Sequence, residues 1–123
     1  MFSSDSIYVQ IYTGYFIVQN MDSGAVAQIQ RDQKFASPRM LIADFTMAEH
    51  QLRQAIKEVR RGLFKPNILM HPRELIDGGI TQVEYRVFTE LGLGSGAVKV
   101  GTWSGPVLND VESVRKAIRD YKH

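Results

Sequence analysis

The sequence predicts an α/β domain built on a mixed five-stranded sheet, with its elements in the order β-β-β-α-β-α-β-α. Two observations predict this class. The first thirty residues hold three runs rich in β-branched and aromatic residues, and the remainder alternates apolar repeats of helical spacing with short strand-like runs. A length of 123 residues suggests one domain, residues 1–123, with one modest core.

Three strands are predicted to open the chain as an antiparallel meander. Thr13-Gly14 separates two runs in SIYVQIYTGYFIVQN, and glycine suits a hairpin turn because it tolerates a positive φ. NMDSG, residues 20–24, forms a second turn. AVAQIQ, residues 25–30, alternates apolar and polar residues, which is typical of a half-buried strand.

A first helix is predicted over residues 46–61. Thr46 and Glu49 have the spacing of a capping box, in which a hydroxyl and a carboxylate each accept a backbone N–H at the helix start. Gly62 ends the helix. Its predicted apolar face comprises Ala48, Leu52, Ala55, Ile56 and Val59.

Two strands parallel to the first, and two further helices, complete the prediction. The strands are 67–70 and 97–103, and the helices are 82–91 and 109–121. A second capping box, Thr81 with Glu84, starts the former helix, and GLGSG ends it. The predicted apolar faces comprise Val83, Val87, Phe88 and Leu91 in the former and Val107, Val111, Val114, Ile118 and Tyr121 in the latter.

Composition excludes several classes of function. There is no cysteine, which excludes disulfides, thiol catalysis and thiolate metal sites. The 15 basic and 13 acidic residues nearly balance, which argues against a nucleic-acid partner. His50, His71 and His123 lack the spacing of a metal site. Neither a signal peptide nor a run of about 20 apolar residues is visible, so we expect a cytoplasmic protein without a membrane span.

Three segments carry a resemblance to a known family. LIADFTMAEHQLRQAIKEV (41–59), GGITQVEYRVF (78–88) and GSGAVKVGTWSGP (94–106) resemble segments of the bacterial MreB-type rod-shape proteins. That family belongs to the actin-like branch of the ribonuclease H-like fold. The resemblance covers most of this chain but only the first subdomain of the family, and it implies an actin-like half-domain connected with bacterial cell shape.

The same resemblance implies that the nucleotide site of the family is degenerate here. The family requires an acidic phosphate loop after its first strand, and the matching positions are Tyr8, Gln10 and Ile11. Its hydrolysis-related glutamate falls in the stretch that is Ser104 to Pro106 here. The second phosphate loop, the second domain and the inserted subdomain have no counterpart in the sequence. We therefore expect no ATPase activity, no cofactor and no metal.

Function is expected to lie in protein–protein contacts. Tyr8, Tyr12 and Tyr15 are predicted to form an exposed aromatic surface around the first hairpin, next to a strand edge that can pair with another copy. This predicts a homodimer, or docking on an MreB-like filament as an adaptor or modulator. Trp103 is either an exposed anchor or part of the core under the last helix.

Three arginines, Arg53, Arg60 and Arg61, either meet an acidic partner or form a solvated helix face. A rival class keeps nucleic acid as a partner, because ribonuclease H-like sheets can display carboxylates for metal-dependent nuclease chemistry. Simple binding of nucleic acid through the arginines is its weaker form. The acidic candidates for the nuclease are Asp44, Asp77 and Glu84.

Overall fold

The computed structural model describes residues 4–30, 45–74 and 79–121. These residues form one five-stranded sheet of strand order β3-β2-β1-β4-β5 and three helices. In chain order the elements are β1 (Ser6–Ile11), β2 (Tyr15–Asn20), β3 (Val26–Gln30), α1 (Phe45–Val59), β4 (Asn67–Pro72), α2 (Gln82–Gly94), β5 (Lys99–Thr102) and α3 (Val111–Asp120).

The sheet is mixed, as predicted. β1 pairs antiparallel with β2, and β2 pairs antiparallel with β3, which gives the meander. β1 pairs parallel with β4, and β4 pairs parallel with β5, which gives the two crossovers. The predicted fold class and element order are therefore confirmed for the described part of the chain.

The two faces of the sheet are covered by different helices. On one face, α1 and α2 bury a large apolar cluster that includes Ile7, Val9 and Ile11 of β1. On the other face, α3 packs over a smaller cluster that includes Tyr8 and Leu69. The division follows from the two-residue period of a strand, which sends successive side chains of β1 to opposite faces.

The predicted apolar face of α1 is confirmed, since all five of its residues are buried. Burying each of the larger aliphatic side chains contributes about 1.5–3 kcal/mol, so packing rather than helix propensity stabilises α1. The predicted start was wrong: α1 begins at Phe45, which puts Thr46 inside the first turn and not at the cap. The helix ends at Val59, two residues before the predicted end.

The capping box of α2 is confirmed. Thr81 Oγ1 accepts the Glu84 N–H at 3.1 Å, and Glu84 Oε1 accepts the Thr81 N–H at 2.8 Å. The prediction that Val83 faces the core was wrong, because α2 contacts the sheet through Phe88 and Leu91 and leaves Val83 exposed. The predicted end at residue 91 was too early, because α2 continues to Gly94 and takes in the first three residues of GLGSG; Gly96, with φ of +118°, follows the helix end.

The turns of the meander differ in their use of glycine. Gly24 has φ of +86° in the second turn, whereas Gly14 lies in the confirmed hairpin without a positive φ. The hairpin loop therefore does not depend on the left-handed conformation that was predicted for it. α3 begins two residues later and ends one residue earlier than predicted, so Val107 and Tyr121 lie outside it and are exposed. Its buried apolar face is formed by Val114 and Ile118 together with Ala117.

Candidate functional site

The carboxyl ends of the parallel strands define the candidate site, because ligands of open α/β sheets bind outside these ends. The backbone continues the ladder there: the Arg73 N–H donates to Ile11 O at 2.9 Å, and the Trp103 N–H donates to Met70 O at 2.8 Å. We call the region formed by residues 8–15, 71–74 and 103–108 the carboxyl edge.

Tyr8 and His71 form a buried pair beneath the carboxyl edge. The Tyr8 hydroxyl lies 2.5 Å from His71 Nδ1, and it also accepts the Leu108 N–H at 3.2 Å. Burial lowers the pKa of His71 to about 4, the Arg73 charge adds to this, and a hydrogen bond to the Gly105 backbone opposes it. Burial likewise raises the pKa of Tyr8. With His71 neutral and donating its other ring N–H to the Gly105 backbone, Nδ1 accepts a hydrogen bond from the Tyr8 hydroxyl.

The prediction that Tyr8 lies on a partly open face was wrong. Tyr8 is 1% exposed, because α3 and the segment before it cover that face of the sheet. His71 was considered only as a metal ligand. A signal for its real position exists in the sequence, since alternation along NILMHP sends Leu69 and His71 to one face.

Tyr12 and Tyr15, two of the three tyrosines predicted around the first hairpin, lie in contact with each other. Their rings stack with centroids 4.6 Å apart and an interplanar angle of 14°. The Arg73 guanidinium lies 5.7 Å from the Tyr12 ring centroid, and its Nη1 donates to Gln10 Oε1 at 2.9 Å. Tyr12, Tyr15 and Arg73 are half-buried, so this aromatic–arginine stack is a preorganised and accessible surface.

A carboxylate occupies the hairpin turn. Glu74 Oε1 accepts the Thr13 N–H at 2.7 Å, which joins the β1–β2 turn to the residue two places after β4. A phosphate group at this turn would need the same N–H and would meet the negative charge of Glu74. The arrangement disfavours an anion at the position where the resemblance places a phosphate loop.

Trp103 packs against the α3 side of the sheet. It is half-buried beside the cluster of Tyr8 and Leu69, and its ring meets Tyr121 edge-on at a centroid distance of 5.2 Å. Its Nε1–H donates to Pro106 O at 2.7 Å. Of the two roles left open for Trp103, packing under the last helix is the one that the contacts support.

The three predicted arginines lie in two places. Arg53 pairs with Glu49 at 3.6 Å and donates to Gly94 O, which joins α1 to the end of α2. Arg60 Nη2 donates to Phe64 O, and Arg61 Nη1 donates to Glu58 O, both at 2.9 Å. Arg60 and Arg61 thus lie beyond the C-terminus of α1, at the opposite end of the sheet from the carboxyl edge.

Within residues 4–30, 45–74 and 79–121, no group of three acidic or histidine side chains could hold a metal ion. Glu84 is engaged in its capping box. Asp44 and Asp77 lie outside the described residues, so the nuclease alternative stays a prediction. None of the described helices has the length and apolar composition that crossing a membrane requires.

No protein-family model matches the chain. The uncharacterized protein YjaA of Escherichia coli (strain K12) is 28% identical over 101 residues, which cover 76% of this chain and 78% of that protein. Among solved structures, the crystal structure of ethanolamine utilization protein EutJ from Carboxydothermus hydrogenoformans is similar with a TM-score of 0.49 and 14% identity. That similarity covers 83% of this chain but only 37% of the EutJ chain.

Proposed function

We propose that this chain is a non-catalytic actin-like half-domain that acts through protein–protein contacts, as an adaptor or modulator of an MreB-like cell-shape filament. One observation carries the non-catalytic part: the polar groups of the carboxyl edge are paired with one another. Glu74 binds the hairpin N–H, Arg73 binds Gln10, and Tyr8 binds His71. These bonds engage the Thr13 N–H and one N–H of Arg73, two donors that a nucleotide phosphate at this edge would need.

A calorimetric titration with Mg-ATP tests this part directly. We expect no measurable heat of binding for the natural chain. The variant Glu74→Gln, which lacks the charge at the hairpin turn, is titrated with Mg-ATP in the same way. Micromolar affinity in the natural chain would contradict the proposal, because it requires a phosphate site that Glu74 does not block.

The strand edge at β3 supports the choice of a protein partner. β3 is one of the two outer strands of the sheet that the described residues form, and its sequence VAQIQ has no charge and no proline, the usual devices that prevent edge pairing. Gln30 of β3 pairs with Tyr15 of β2, so the aromatic–arginine stack lies next to one end of the β3 edge. If β3 of one copy pairs with β3 of a second copy, no like charges face each other, which favours an antiparallel β3–β3 homodimer.

Sedimentation equilibrium tests the homodimer. Gln28→Lys places a charge in the middle of the exposed strand, and the two copies of that charge face each other in a symmetric pair. We expect the dimer dissociation constant to rise at least about tenfold, or roughly 1.4 kcal/mol. The matched control is Gln54→Lys, at an exposed position on α1. A natural chain that stays monomeric at several hundred micromolar would rule out the dimer.

Co-sedimentation with a purified MreB-type filament tests the adaptor role. We expect the natural chain to pellet with the filament and Tyr12→Ala to pellet less, since Tyr12 is the centre of the aromatic–arginine stack. Tyr85→Ala is the control, because Tyr85 is a similarly half-buried tyrosine on α2. Equal loss in both variants, or no pelleting at all, would count against this role.

A specific observation favours a second candidate function, docking on an anionic membrane surface. Leu63 and Phe64 are 87% and 62% exposed, and they are consecutive residues of the loop after α1. Arg60, Arg61 and Lys65 flank them, and no ion pair between described residues involves these three cations. Apolar side chains amid unpaired cations suit the headgroup region of an anionic bilayer.

The loop is held rigidly, which supports a docking role. Asp5 Oδ2 accepts the N–H groups of Arg61 and Gly62 at 2.6 and 2.8 Å. Vesicle flotation tests the candidate: we expect binding to phosphatidylglycerol vesicles, and its loss in Leu63→Ser/Phe64→Ser. Val83→Ser is the control, because Val83 is 72% exposed on a surface distant in sequence. Equal binding by all variants would exclude the loop as the contact.

A further inference from the structure

A second concave site lies at the amino ends of the parallel strands, opposite the carboxyl edge. It is an open cleft of about 240 Å³ between the start of β1, β4 and β5 and one side of α3. We call it the amino-edge cleft. Its lining consists of Ser6, Asn67, Lys99, Arg115, Ile118 and Arg119. Three of these six side chains are cations, and they come from two different elements.

Arg115 is fixed in place and neutralised by its neighbours. It forms ion pairs with Asp22 and, at 3.2 Å, with Glu112, and its Nε–H donates to Ser6 Oγ at 3.3 Å. Asp22 also accepts the Ser6 N–H at 2.7 Å. Arg115 therefore acts as a structural wall of the cleft that orients the Ser6 hydroxyl.

Lys99 and Arg119 are compensated much less. Lys99 takes part in no ion pair between residues that the structure describes. Among the residues that the structure describes, Arg119 forms an ion pair with Asp120 alone, at 3.6 Å, and that carboxylate is already bonded to Lys116 at 2.6 Å. The side of the cleft formed by Lys99 and Arg119 consequently has an excess of positive charge.

Two buried polar groups of the lining have unused hydrogen-bonding capacity. Ser6 is 2% exposed, and because its oxygen accepts from Arg115, its own proton is free to be donated. Asn67 Oδ1 is buried and has no hydrogen-bond partner within the described residues. An amide can present its NH₂ group at the same place after a 180° rotation, so Asn67 is a further potential donor.

We propose that the amino-edge cleft binds the phosphate group of a small phosphate ester. A tetrahedral phosphate presents acceptor oxygens in several directions at once, which matches donors that arrive from β1, β4, β5 and α3. A carboxylate has two coplanar oxygens and would leave part of this set unused. A cleft of about 240 Å³ has room for a phosphate and a small organic group.

The cleft and the carboxyl edge lie at opposite ends of the sheet, so the inference does not depend on the proposed protein contacts. In the test, inorganic phosphate is titrated into the ¹⁵N-labelled full chain at constant ionic strength. We expect saturable shifts at Ser6, Asn67 and Lys99. Lys99→Ala and Arg119→Ala should each weaken binding roughly two- to fivefold, the range for one exposed charge.

Lys57→Ala is the control, because Lys57 is exposed on α1 and lies outside the lining. Phosphatidic acid vesicles provide a second arm that separates a lipid phosphate from a soluble one. Binding that appears only on vesicles, and that needs Lys99 and Arg119, supports the phosphate site and assigns its ligand to a lipid. Shifts that do not saturate, together with vesicle binding that ignores both substitutions, would overturn the proposal.

Discussion

Tyr8→Phe tests the buried Tyr8–His71 pair, which joins the sheet to the segment before α3. The substitution removes one oxygen and keeps the ring. That oxygen lies 2.5 Å from His71 Nδ1 and accepts the Leu108 N–H at 3.2 Å. Phenylalanine therefore leaves two groups without a partner, one of them fully buried.

The expected cost follows from these two groups. A buried polar group left without its partner costs about 1–3 kcal/mol, and the partly buried Leu108 N–H lies at the lower end because water can reach it. We expect Tyr8→Phe to lower the free energy of unfolding by about 2–4 kcal/mol. Since small domains are stable by only about 5–15 kcal/mol, this is a large effect for one atom.

Urea unfolding followed by circular dichroism, at one protein concentration, measures the effect. With a slope of about 1–3 kcal/mol per molar urea, the midpoint should fall by roughly 1–2 M. Tyr12→Phe is the matched control, because its hydroxyl is half-buried and lies 3.5 Å from Gln10 Oε1; it should change stability by less than about 0.5 kcal/mol. If the two variants unfold alike, the buried pair does not contribute as reasoned.

Three further predictions concern stability and use the same assay. Above pH 6.5, His71 is neutral in both the folded and the unfolded chain. Between pH 6.5 and the folded-state pKa of about 4, only the unfolded chain binds a proton at this residue. Stability should thus fall by about 2–3 kcal/mol between these pH values, and His71→Asn should remove that slope. For Asp5, burial raises the pKa, but backbone hydrogen bonds from Gly62 and Arg61 outweigh it and lower the pKa below 3.8. Its contribution is present above pH 3.8 and lost below it, and Asp5→Asn should cost about 1–3 kcal/mol at neutral pH. Gly101→Ala should lower the free energy of unfolding by about 1–3 kcal/mol, because a Cβ at this position would lie 2.9 Å from Ile118 Cα. Equal stability of Gly101→Ala and the natural chain would contradict that packing.

Most of the fold could be predicted because it depends on local periods. The spacing of Leu52, Ile56 and Val59 identifies the buried face of α1 without any knowledge of its partner. The errors arose where a local pattern does not determine how far an element or its packing contact extends. Val83 fits the helical period but lies beyond the edge of the contact with the sheet, and Thr46 has the cap spacing although the helix begins one residue earlier.

The candidate site was less predictable because its contacts join distant parts of the chain. The pairs Tyr8–His71 and Thr13–Glu74 are separated by 63 and 61 residues. Alternation assigned Tyr8 to the face opposite Ile7, but it could not show that α3 covers that face. The position of Tyr12 and Tyr15 around the first hairpin was predictable, since both residues flank it, but the stacking of their rings was not predicted.

The two ends of the sheet use their charges differently, and salt should separate their functions. Along β3 no side chain is charged, so a β3 dimer should keep its dissociation constant within about twofold between 0.1 and 1 M NaCl. At the amino edge, Lys99 and the cations around Leu63 and Phe64 lack acidic partners among the described residues. The Debye length falls from about 10 Å to about 3 Å over that range, so binding of phosphate or anionic vesicles should weaken by tenfold or more. Sedimentation and vesicle flotation at the two salt concentrations measure both quantities. Equal salt dependence at the two ends would mean that the charges do not divide the molecule in this way.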